Sequence, residues 1–288
     1  MLESVLTMFS YPFLIRALIA GVSVALASSL LGTTLVLKRY SMIGDGLSHV
    51  SFGCLAVAAA LNWAPLALTL PVVSAAAFLL LKLNNNKKIF GDAAIALITC
   101  AALAVGVIVI SVTTGMNVDV YNYMFGSILS ITKTDMIVSV TISSSVILVF
   151  VLLFHRIFAV TFDEPFSKAT GLKTGAYQTL FALSTAVTIV IGMRLVGALL
   201  ISGLLIFPPL SAMRVCKTFK STTIFSAILS VLCFFAGLVL SFLANLPAGA
   251  TVIVMNAAVF CCLFAFGKLV YLIRKYKSKL RTITKATL

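Results

Sequence analysis

Nine stretches of this chain are apolar for so long that they fit a lipid interior better than a wetted surface: 14–37, 46–61, 64–82, 90–112, 133–154, 177–193, 195–213, 222–243 and 249–270. Most approach the roughly 20 residues that carry an α-helix across about 30 Å of hydrocarbon. They lack the residue-by-residue alternation of a porin-like strand. The expectation is an all-α, polytopic transmembrane bundle, with 1–288 forming one membrane domain. Nine segments cross if every run spans, and eight if 195–213 only dips in.

Composition agrees, with 61% hydrophobic residues, 10% charged ones and a mean hydropathy of +1.19. A soluble domain could not keep such a surface in water. Lys and Arg number 21 against 7 acids, a formal charge of +14. In a soluble protein that excess would suggest nucleic acid, but here the basic residues cluster between apolar runs, where they set orientation. Lys38 and Arg39, Lys82 to Lys88, His155 to Lys173, Arg214 to Lys220 and the tail "RKYKSKLRTITK" all fall on the cytoplasmic side if nine segments cross with the N-terminus outside. The tail is thus expected in the cytoplasm, against anionic lipid. The six cysteines, at 54, 100, 216, 233, 261 and 262, form no CxxC pair and read as small hydrophobes. The N-terminus does not read as a cleavable signal. No GxxxxGK[ST] loop is present, so any ATP used must be bound by another chain.

Ionisable residues inside spans are scarce because a charge at the bilayer centre costs at least about 2.5 kcal/mol. That sets apart "IGDGLSHVSFG", residues 43–53, which carries Asp45 and His49. Four residues apart on a helix, the two side chains emerge on one face. Carboxylate oxygen and imidazole nitrogen ligate Zn²⁺, Mn²⁺ or Fe²⁺, and Ser41 and Ser48 lie near the same face as supporting groups. Two other readings stand beside this one: Asp45 capping a helix while His49 meets a carbonyl, and the pair relaying protons in a proton-coupled secondary transporter. Two ligands do not close a metal site. Of the remaining donors, His155 sits beside Arg156 at a span end, and Asp92 in "FGDAAIAL" reads as an N-cap. A twofold axis would supply the missing donors from a second copy. An intramembrane metallohydrolase is not supported, since no HExxH is present.

In "NVDVYNYMFGSIL", 117–129, Tyr121 and Tyr123 read as part of an interfacial aromatic belt. "VTFDEPFSKATGLKTGAY", 160–177, bears Pro165 and Gly171 and reads either as a solvated loop or as a short helix shown to a partner. In "RLVGALLISGLLIFPPLSAMR", 194–214, Ala198 and Ser202 form a small-xxx-small pair, and Pro208 with Pro209 is expected to break or end the helix. That segment is either a buried span or part of a gate.

Together these pieces resemble the membrane permease of the zinc and manganese ABC uptake systems, the metal-transporting ABC-3 family. "RYSMIGDGLSHVSFG" looks like the family's Asp/Ser-His motif and "VDVYNYMFGSIL" like its loop before the middle spans. "MRLVGALLISGLLIFPPLSAMR" is similar to its Val-Gly-Ala-Leu-Leu segment, and "LPAGATVIV" to its final turn. The resemblance implies a homodimeric importer permease in the bacterial cytoplasmic membrane, no enzyme by itself. It also implies two cytoplasmic ATPase subunits as partners, an extracytoplasmic metal-binding protein, and no permanently bound cofactor. It places Asp45 and His49 in the translocation site. "FDEPFSKATGL", with Asp163, Glu164, Phe166 and Gly171, is similar to the segment that couples to the ATPase. Gly197, Ser202, Gly203, Pro208 and Pro209 fall in the gate or its packing. The Pro-Pro-Leu-Ser of this chain stands where many relatives have Pro-Ala-Ala-Thr or Pro-Ala-Leu-Ser, and "LLIFPPLSAMR" looks closer to the zinc importers than to the manganese ones. The expected cargo is therefore Zn²⁺, with Mn²⁺ or Fe²⁺ as the alternative.

Overall fold

The protein is described by a computed structural model covering residues 10–84, 91–114, 126 and 131–286, with side chains placed at 10–82, 92–113, 126 and 131–268. Eleven helices are present among the described residues: α1 Pro12–Leu37, α2 Ser41–Ala60, α3 Pro65–Asn84, α4 Gly91–Thr114, α5 Lys133–Leu152, α6 Phe154–Phe162, α7 Glu164–Ala169, α8 Thr174–Val196, α9 Ala198–Val215, α10 Phe219–Ala244 and α11 Ala248–Ala286. Nine of them are long and apolar enough to cross a membrane; α6 and α7 are the exceptions. The segment expected either to cross or to dip is α9, at 18 residues and of crossing length.

The ends of these helices follow from local chemistry. Pro12 opens α1, where its missing N–H costs nothing. Thr132 and Asp135 form a reciprocal capping box at the start of α5. Three helices close through a non-glycine residue in the left-handed region: Arg39 at φ 59°, Asn62 at 54° and Asn245 at 51°. In each case the next N–H reaches back five residues: Tyr40 to Leu35 at 2.7 Å, Trp63 to Ala58 at 2.9 Å and Leu246 to Ser241 at 3.0 Å. Asparagine tolerates this conformation; Arg39 holds it at a cost of about 1–2 kcal/mol.

Four helices form the interior. More than half of the apolar window of α1, α2, α8 and α9 is buried, against a third or less for the other five long helices. α1 packs on α5, α8, α9 and α10, whereas α2 packs on α3, α4, α8 and α9. The helices α8 and α9 are separated only by Gly197, whose φ of 90° with ψ of 160° is open only to glycine. Gly126 seats on that corner so closely that a Cβ there would lie 2.4 Å from the Val196 carbonyl carbon.

Two sequence expectations need correction. Pro208 and Pro209 lie inside α9 and do not end it. Proline interrupts a helix by clashing with, and failing to donate to, the carbonyl four residues back, yet membrane helices absorb it where neighbours meet the freed group, which a Cα–H does weakly. Here the Leu205 carbonyl, which Pro209 cannot serve, abuts α1 at Gly32. A Cβ on Gly32 would fall 2.1 Å from that oxygen, so only a hydrogen fits between the two backbones. Asp92 is the second residue of α4, in its first turn and not at the cap, where its charge still favours the helix dipole.

One end of the bundle gathers the basic clusters. Lys38 follows α1, Arg156 on α6 bonds the Tyr177 hydroxyl on α8, and Arg214 lies over the Phe264 ring of α11, 4.8 Å from its centroid. Phe219, at the start of α10, stacks on Phe154 and Phe158 of α6 with centroids 5.1 and 5.3 Å apart.

Candidate metal-transit site

Helix α2 begins at Ser41 after Tyr40, so Asp45 lies inside the second turn and does not cap the helix. His49 Nε2 is 3.8 Å from Asp45 Oδ1, with side-chain exposures of 20% and 39%. The pair therefore faces an open side of the bundle, while its neighbours Leu47, Ser48 and Phe52 are buried. With Zn–N and Zn–O bonds of about 2.0–2.1 Å, a tetrahedral ion holds two ligand atoms about 3.4 Å apart. The observed separation is a few tenths of an ångström from that bite, within reach of a small side-chain rotation. No group of three His, Cys, Asp or Glu residues clusters among the described residues, so one copy supplies two donors to such an ion.

Beneath the pair, Ser48 holds α2 to α9. Its Oγ donates to the Asp45 carbonyl at 2.7 Å and lies 3.1 Å from Ser202 Oγ, which is itself 3.1 Å from the Ala198 carbonyl. Three hydrogen-bond distances share two hydroxyl protons, so one contact lacks a proton in any given arrangement. The spacing of Ala198 and Ser202 signalled close packing, but not that its partner was the serine between Asp45 and His49. Ser41 begins α2 one turn earlier. Gly203 packs beside Ile253 of α11, where a Cβ would lie 3.1 Å from that side chain.

The segment 163–172 forms a capped helix at the basic end. Asp163 accepts from the Phe166 N–H at 2.9 Å, opening α7. Gly171, at φ 84°, closes it as Leu172 N–H returns to the Ser167 carbonyl at 3.0 Å. Phe166 is 64% exposed. Glu164 Oε2 lies 3.9 Å from Lys38 Nζ. Burial pushes the Lys38 ammonium down from its ordinary pKa, and the Glu164 carboxylate draws it partly back up. Asp163 and Glu164 thus have partners within the chain, whereas Phe166 presents a largely exposed ring.

Sequence reading missed the link between Lys38 and Glu164, and also a pair at the end away from the basic clusters, in which Arg194 Nη2 at the end of α8 meets Asp135 Oδ1 of α5 at 3.0 Å. Neither pair has a spacing signature, because each joins segments far apart in the chain. His155 stands edge-on to Phe154, ring centroids 5.7 Å apart. The six cysteines are free thiols. Tyr121 and Tyr123 lie outside the described residues.

Comparison with known proteins matches residues 10–267 to the ABC 3 transport family. The chain is 34% identical over 251 residues to the high-affinity zinc uptake system membrane protein ZnuB of Buchnera aphidicola, covering 86% of this chain and 94% of that one. It is 28% identical over 278 residues to the manganese import system permease protein ScaB of Streptococcus gordonii, covering 96% and 99%. Its fold superposes on a solved structure of PsaBC from Streptococcus pneumoniae in complex with Fab, with a TM-score of 0.82 and 26% identity over 91% of this chain and 94% of that one. On this evidence, the chain is an all-helical membrane protein that belongs to the ABC 3 transport family.

Proposed function

We propose that this chain is the permease of an ATP-driven importer of Zn²⁺, acting as a homodimer with two separate ATPase subunits inside and a metal-binding protein outside. Family membership supports the transporter class and leaves the proton-relay reading without support. The observation that carries the metal reading is the Asp45–His49 pair, two donors 3.8 Å apart on an open face. Two copies facing each other across a twofold axis would present two carboxylates and two imidazoles to one ion. Four donors without a closed structural cage suit an ion that must leave again.

In this mechanism the ion enters from the outer end, where α5 and α8 are tied by Asp135 and Arg194. It exchanges water for Asp45 and His49, and the carboxylate offsets part of its charge. Nucleotide-driven closure of the ATPases moves α7 at the basic end, and the helices reorient to open inward. The basic end faces the cytoplasm in this reading, as the excess of Lys and Arg there demands.

The test is uptake into vesicles that contain the permease with its ATPase, ATP inside and the metal-binding protein outside. Asp45→Asn and His49→Ala should each lower Zn²⁺ uptake by more than tenfold, with permease abundance and assembly unchanged. Uptake equal to wild type would remove the metal assignment. Manganese is the second reading, favoured by the likeness to ScaB and by a donor set that suits both ions. Running both ions in the same assay separates them.

A further inference from the structure

On the flank of α1 away from α2, helices α5 and α10 leave a cleft of about 630 Å³. Leu26 and Leu30 of α1 form its floor. Phe150 and Val151 of α5 and Ile224 and Ile228 of α10 form its walls. Ile224 and Ile228 are 50% and 53% exposed, so the cleft opens outward from the bundle. Polar groups gather at one end only. Lys220, in the first turn of α10, and His155, at the start of α6, line it where Phe219 and Phe154 stack. The Thr223 hydroxyl, also on the lining, is occupied by the Phe219 carbonyl at 2.9 Å.

We propose that this cleft binds one acyl chain of an anionic phospholipid, with the phosphate held by Lys220 and His155. Its length fits one leaflet. Lys220 to Leu232, the lining of α10, spans about 18 Å at 1.5 Å per residue, slightly more than half of an approximately 30 Å hydrocarbon core. Its charge fits too. A lysine ammonium and an imidazole N–H offer donors to a phosphate at the membrane surface, and the rest of the lining offers only apolar contact. An extended peptide in the cleft would bring backbone polar groups that this lining cannot satisfy, which leaves a self-satisfied helix, such as one from a second copy, as the competing occupant. The cleft is separate from the transit site. α5 packs on α1 and α8, and α10 on α1, α9 and α11, while Asp45 and His49 ride on α2.

The experiment is native mass spectrometry of the full-length protein, exchanged into detergent with equimolar phosphatidylglycerol and phosphatidylcholine. Wild type should retain phosphatidylglycerol about fivefold over phosphatidylcholine, the preference one surface lysine supplies. Lys220→Gln should bring the ratio close to one without changing the thermal midpoint. Ile228→Trp, which fills the cleft, should lower retention of both lipids. Equal retention by wild type, or an undiminished preference in Lys220→Gln, overturns the proposal. So does a change in oligomeric state with Ile228→Trp at unchanged lipid retention, which would give the cleft to a second copy.

Discussion

Lys38 and Glu164 stand 3.9 Å apart, one just past the end of α1 and the other at the start of α7. Three residues after Lys38 the chain enters α2, which carries Asp45 and His49. The pair therefore ties the short helix at the basic end to the turn that sets where α2 begins. Its direct stabilisation is modest, about 0.2–1 kcal/mol for a pair with one partner exposed, so its value is positional. Lys38→Glu and Glu164→Lys are each expected to lower metal uptake severalfold while ATP hydrolysis falls less. The double exchange should restore uptake. Loss without rescue in the double variant would show that the two residues act separately.

Phe166 offers the cleaner probe of docking at this end. Replacing Asp163 would also remove the cap of α7, and replacing Glu164 would release Lys38, whereas Phe166 is 64% exposed. Phe166→Ala should therefore uncouple ATP hydrolysis from uptake with the thermal midpoint unchanged. Full coupling in that variant would remove α7 from the ATPase interface.

The proposed twofold arrangement has a stoichiometric signature. Equilibrium dialysis of the purified permease against Zn²⁺ should give one ion per two chains, and His49→Ala should lose it. One ion per chain would require ligands from outside the Asp45–His49 pair.

Two glycines separate lack of space from backbone strain. Gly32→Ala drives a methyl onto the Leu205 carbonyl, and backbone cannot swing aside; a cost of about 1–3 kcal/mol or more follows. Gly171→Ala meets nothing within 4 Å and pays only for its φ of 84°, about 1–2 kcal/mol. Thermal denaturation in detergent should rank Gly32→Ala as the more damaging, and the reverse order would contradict the close approach of α1 and α9.

Much of the bundle was legible because a membrane span is written in consecutive residues. The nine apolar runs correspond to the nine long helices, with ends displaced by a few positions except in α11, which runs on from the apolar stretch into the basic tail as far as Ala286. The Asp45–His49 pair was legible for the same reason, since its geometry is set by a single helix. Pro208 and Pro209 misled because the fate of a proline in a helix depends on what covers the freed carbonyl, and that cover comes from Gly32, far away in sequence. The contact of Ser48 with Ser202 and the pairing of Arg194 with Asp135 were invisible because they are products of packing.

Where Gly32 meets Leu205, the two helices have no side-chain cushion between them. Helices that slide past one another do so by exchanging rotamers at their contact, and two touching backbones have none to exchange. We expect this contact to weld α1 and α9 into a single plate, so that any rocking that opens one mouth of the protein and then the other carries them together. The bending would then fall to their ends, where Arg39 and Gly197 already hold φ at 59° and 90°. A covalent cross-link between α1 and α9 at the level of the weld should leave turnover intact, while stiffening either end should stop it.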